Sequence, residues 1–144
     1  MADYYTHFHF VVPCDHPDDL VDTYRKLTAD VENLDEVADN HPIFADLDEI
    51  VLGLPTLTSR DGGVVVDDNC EGDLAATCAV VKWMLTHSGT PDEIYFEWCN
   101  WCTKPRTDAY GGGASLVTSA GWTSICTSDL HEQLTDDLAA RTTK

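Results

Sequence analysis

Basic residues are scarce in this chain. Eight lysines and arginines stand against 26 aspartates and glutamates in 144 residues, a formal net charge of −18. A field of that sign repels DNA, RNA and anionic lipid, which argues against direct nucleic-acid or membrane-surface binding. It attracts basic surfaces, including the nucleic-acid-binding faces of other proteins, and it also suits a high-salt cytoplasm or plain solubility. Long apolar runs are missing as well. No stretch of about 18 apolar residues occurs, so no membrane span is expected. The start, Met1-Ala2-Asp3-Tyr4-Tyr5, lacks the basic and apolar regions of a signal peptide, and the expected compartment is the cytoplasm, that of a host if the chain is phage-encoded. Neither a Walker phosphate loop nor a Gly-x-Ser-x-Gly nucleophile elbow is present, and no cofactor is expected.

What the chain does have is concentrated between Tyr95 and Ala114, where aromatics, two cysteines, a Lys-Pro-Arg and three glycines follow one another. Residues 93–98 alternate as a half-buried strand does, with Ile94, Phe96 and Trp98 on one face and Glu93, Tyr95 and Glu97 on the other. Pro105 removes a donor and ends the strand. Gly111, Gly112 and Gly113 read as a hinge before a strand that resumes at Ala114. Two readings follow. In one, Lys104, Arg106 and the amides of Gly111, Gly112 and Gly113 form a nest for a phosphate or carboxylate. In the other, which is preferred, the glycines allow a tight crossing and the cations pair with neighbouring carboxylates.

The run Glu97-Trp98-Cys99-Asn100-Trp101-Cys102-Thr103-Lys104-Pro105-Arg106, followed by Ala109-Tyr110-Gly111-Gly112-Gly113-Ala114, resembles a group of small uncharacterised proteins of bacteriophages and related mobile elements. That group carries Cys-Ser-Lys-Pro-Arg and then Phe-Gly-Gly-Gly-Ala; this chain has Thr103 for the serine and Tyr110 for the phenylalanine. The resemblance covers the second half of the chain, and the first half by length and order of elements. It implies a phage accessory protein and assigns no activity and no catalytic residue.

Taken in order, residues 4–12 alternate as one strand, bulky on both faces and therefore central, with His7 and His9 projecting from the same face. Asp15-His16-Pro17 starts a helix whose apolar stripe is Leu20, Tyr24, Leu27, Val31 and Leu34. Residues 15–50 hold twelve acids and two bases. Asp15, Asp18, Asp19, Asp22, Asp30, Glu32, Asp35 and Glu36 are the candidate contact surface for a basic partner, against the plainer reading of a solvated helix face. A loop follows around Asn40-His41-Pro42, then an edge strand or a bulged one over residues 50–58, a turn at Arg60-Asp61-Gly62-Gly63 and a short strand at 64–66. Asp67-Asp68-Asn69 can cap the next element. A second helix carries Leu74, Cys78, Val81 and Leu85 and stops at Gly89. After the glycines, 114–118 and 122–126 form a hairpin around Ser119-Ala120-Gly121, and a last helix carries Leu130, Leu134 and Leu138, with Thr127 or Ser128 as its cap.

Cys99 and Cys102 form half of a zinc site, which Cys70, Cys126, His7 or His9 could extend. On a strand, residues three apart point to opposite faces, so the pair meets on one ion only if a turn begins at Asn100. The six cysteines are expected as free thiols. These elements predict one α+β domain over residues 1–144: a mostly antiparallel sheet with helices on one face, in the order β-α-β-β-α-β-β-β-α. The expected function is binding of a host or phage protein through the acidic surface, possible charge mimicry of nucleic acid included. The alternative is a small enzyme or ligand-binding protein with a phosphate or nucleotide pocket at Lys104, Arg106 and the glycines, with His7 or His9 as base.

Overall fold

The computed structural model describes residues 4–29, 41–45, 47, 54–68, 73–102 and 111–142. The described elements are β1 (Tyr4–His7), β2 (His9–Pro13), α1 (Pro17–Thr28), β3 (Thr56–Arg60), β4 (Gly63–Asp67), α2 (Leu74–Met84), β5 (Glu93–Cys102), β6 (Gly111–Thr118), β7 (Gly121–Cys126) and α3 (Thr127–Thr142). The class is α+β and every strand pairing is antiparallel.

The expectation of a single sheet is corrected. Among the described residues there are two, a four-stranded sheet ordered β1-β5-β6-β7 and a three-stranded sheet ordered β2-β4-β3. The cause lies at Phe8. This residue belongs to neither ladder and buries its ring, so the first strand splits into β1, at the edge of one sheet, and β2, at the edge of the other. Bulk on both faces here does not mark a central strand. It reflects a segment that serves two sheets in turn. Phe10 stacks on Phe96 with ring centroids 4.3 Å apart, and Phe8 meets the same ring edge-on at 6.1 Å, so three aromatics join the two sheets.

Each of the first two helices covers a sheet. α1 lies on β3 and β4 and buries Leu20, Val21 and Tyr24, each worth about 1.5–3 kcal/mol against exposure. Tyr24 also donates its hydroxyl to the Pro55 carbonyl at 2.6 Å. α2 lies on β6 and β7 and is buried over most of its length, from Ala76 to Val81 and again at Trp83 and Met84. Its cap is Asp73, whose carboxylate accepts the Ala76 amide at 2.9 Å; Asp68 has a different role. α2 ends at Met84, so Gly89 is not its cap; at φ +80° it turns the chain and its carbonyl accepts the Asp15 amide. Residues 41–45 are more than a loop. Ile43 and Phe44 are in the core, and His41 holds the turn by accepting the Ile43 and Phe44 amides at Nδ1 and donating from Nε2 to the Leu27 carbonyl at 3.0 Å.

Candidate functional site

The glycines are not a hinge. All three lie in β6, with Gly111 opposite Asn100, Gly112 opposite Cys99 and Gly113 opposite Trp98. A Cβ on Gly112 would run into the Trp98 carbonyl and stand 3.0 Å from Cys99 Cα, and one on Gly113 would strike the Ile125 carbonyl and stand 2.6 Å from Trp98 Cζ2. The missing side chains therefore let β6 lie close to β5 and β7. Gly111, at φ +148°, needs glycine for its backbone as well. The Gly112 amide is engaged, donating to Thr127 Oγ1 at 3.2 Å. Lys104 and Arg106 lie outside the described residues.

A polar thread crosses β5, β6 and β7. Trp98 Nε1 donates to Ser115 Oγ at 3.1 Å, and Ser115 and Ser124 share a hydroxyl hydrogen bond at 2.7 Å. Ser115 is buried, and Cys78 of α2 meets the same hydroxyls. Burial pushes the Cys78 thiol up to about 11, while its hydrogen bonds to Ser115 and Ser124 pull the other way. This thiol is a core group, not a nucleophile.

At the corner where β1 passes into β2, His7 and His9 part company. His7 Nδ1 and Asp68 Oδ2 are 2.6 Å apart, and Asp68 is buried. His9 instead faces Asp67, at 3.7 Å, with its side chain 69 % exposed. The break at Phe8 accounts for this, since alternation does not carry across it. His7 is opposite Cys99 in the ladder, and Cys99 is exposed, so a histidine held by a buried carboxylate and an accessible thiol occupy one place on the sheet. Sequence reasoning treated Asp67 and Asp68 as helix caps and missed this contact, which only the pairing of β2 with β4 creates. β5 runs unbroken through Cys102, so the turn that would let Cys99 and Cys102 share an ion does not occur. Among the described residues no group of three or more histidine, cysteine or acidic side chains could hold a metal ion.

Of the acidic candidates, Asp15, Asp18, Asp19 and Asp22 are exposed on and before α1, and none makes an ion pair with a described residue. Arg25 and Lys26 are exposed in the last turn of the same helix. Asp30, Glu32, Asp35 and Glu36 lie outside the described residues. A second acidic element, unremarked in the sequence, is α3, where Asp129, Glu132, Asp136 and Asp137 are exposed together with Leu130, Leu134 and Leu138. Cys126 donates its amide and its thiol to the Asp129 carboxylate, which holds that carboxyl below its usual range. No helix among the described residues is long and apolar enough to cross a membrane. Among known proteins, no family model, no curated protein and no solved structure matches this chain.

Proposed function

We propose that the protein is a phage-type accessory protein that binds a basic surface of a host or phage protein through its carboxylates, occupying a site that would otherwise hold nucleic acid. The observation that carries this is the state of the α1 carboxylates. Asp15, Asp18, Asp19 and Asp22 are exposed and unpaired with any described residue in a chain of net charge −18. Exposed like charges on one element repel one another, and a partner of opposite sign relieves that repulsion. Asp18 and Asp19 also lie in the first turn of α1, where the helix dipole tolerates them. The anion-pocket alternative has less behind it, because the Gly112 amide already serves Thr127.

The test is capture from a host lysate on the immobilised chain, first at about 0.1 M and then at about 1 M salt, where the screening length falls from about 10 Å to about 3 Å. Nucleic-acid-binding proteins should be enriched at low salt, released at high salt, and bound less by a variant with Asp18, Asp19 and Asp22 changed to asparagine. Retention that ignores both salt and the triple substitution removes charge mimicry.

A further inference from the structure

The acidic face leaves one region of the molecule unexplained. From residue 109 to residue 128 there is no charged side chain, in a chain with 26 acids and eight bases. That stretch contains β6 and β7 in full, and β7 is an edge of the four-stranded sheet. Edge strands in natural proteins are guarded against pairing by charge, proline, a bulge or shortness. Here β2 has Pro13, β3 has Arg60 and β1 is only four residues long. β7, Gly-Trp-Thr-Ser-Ile-Cys, has none of these devices.

The hydrogen bonding of that edge follows from the hairpin. The turn between Thr118 and Gly121 makes them the closing pair, and alternation then turns the N–H and C=O of Trp122 and Ser124 away from β6. The next amide on that side, Cys126, is already given to Asp129. Two further features adjoin the edge. On the outer face of the sheet, Tyr95, Leu116 and Ile125 are 61 %, 38 % and 50 % exposed. The helix leaving β7 directly, α3, exposes Leu130, Leu134 and Leu138 at helical spacing. A helix of this length gains little stability by itself in water and draws it from an apolar face packed against something.

We infer that β7 pairs antiparallel with β7 of a second copy of this chain, and that the α3 leucines bury against that copy. The occupant follows from charge. Two chains of −18 repel over their acidic faces, the α3 carboxylates included, and the uncharged β7 edge is where that repulsion is least, whereas a basic partner is drawn to the carboxylates instead. The pairing centred on Thr123 sets Trp122 against Ser124 of the second copy, and Ser124 against Trp122 of the second copy. It uses all the outward groups of these two residues and leaves the Cys126 amide with Asp129. The contact is isologous and so closes as a dimer, with a continuous eight-stranded sheet across the two-fold axis. This inference goes beyond the proposed binding of a basic partner and has the opposite salt dependence. Self-association strengthens as salt screens the repulsion, while capture of a basic partner weakens.

Sedimentation of the full chain at low and high salt, with amide hydrogen exchange of dilute and concentrated samples, tests it. The expected result is a dimer favoured by salt, with the Trp122 and Ser124 amides protected on dimerisation. Thr123→Asp and Leu134→Asp, both at positions exposed in the monomer, should each weaken the dimer about tenfold or more with an unchanged circular dichroism spectrum. If either variant misfolds, exchange at Trp122 and Ser124 in the unaltered chain decides alone. A monomer at every salt concentration up to about 1 mM protein overturns the inference. So does an open-ended oligomer, or a dimer in which those two amides stay unprotected.

Discussion

Replacing Gly113 by alanine separates the two readings of the triple glycine. The new Cβ would meet the Ile125 carbonyl of β7 and stand 2.6 Å from Trp98 Cζ2 of β5, so it is caught between two strands. The Trp98 ring is tied down by its Nε1 hydrogen bond to Ser115, and a strand carbonyl cannot swing aside without breaking its ladder. Forcing an extra methyl into a packed site costs about 1–3 kcal/mol, and both neighbours being fixed puts this case in the upper part of that range. The alanine also restricts the unfolded chain, which returns about 0.4–1 kcal/mol. The net expectation is a loss of about 2 kcal/mol, measured by urea denaturation followed by tryptophan fluorescence and circular dichroism, with the denaturant slope unchanged. Gly121→Ala is the control. Nothing lies within 4 Å of its Cβ position, so it should be neutral or more stable by up to about 1 kcal/mol. A Gly113→Ala protein within about 0.5 kcal/mol of the unaltered chain would refute the close-approach argument.

Two other expectations rest on buried groups. The Cys78 thiol is raised from 9.0 to about 11 in the folded protein, so its contribution is complete below pH 9 and is lost as pH rises toward 11. Unfolding free energy should fall by up to about 2–3 kcal/mol over that window, and Cys78→Ala should flatten the part due to this group; an equally steep fall in the variant would assign the loss elsewhere. His41→Ala removes the acceptor of the Ile43 and Phe44 amides and the donor to Leu27, and should cost about 2–3 kcal/mol by thermal or urea unfolding. A change below about 0.5 kcal/mol would mean that water replaces the ring there.

Much of the framework was legible in the sequence because it is set locally. Strand alternation at Ile94, Phe96 and Trp98, the Asp61-Gly62 turn, the proline start of α1 and the leucine spacing of α3 each depend on residues within a turn or two of one another, and each is found where the pattern placed it. The net charge needs no fold at all. The rest depended on segments distant in the chain. Phe8 divides one alternating run between two sheets because the core on either side takes its ring, which no pattern in residues 4–12 announces. Asp68 finds His7 across 61 residues, and His41 serves a turn and a helix end at once. The glycines looked like a hinge in one dimension, yet it is the strands on either side of β6 that require them. Whether an apolar stripe is buried is likewise a tertiary matter. The spacing of Leu130, Leu134 and Leu138 makes a helix, but only the tertiary structure decides that these leucines are exposed, because burial depends on what packs against the helix.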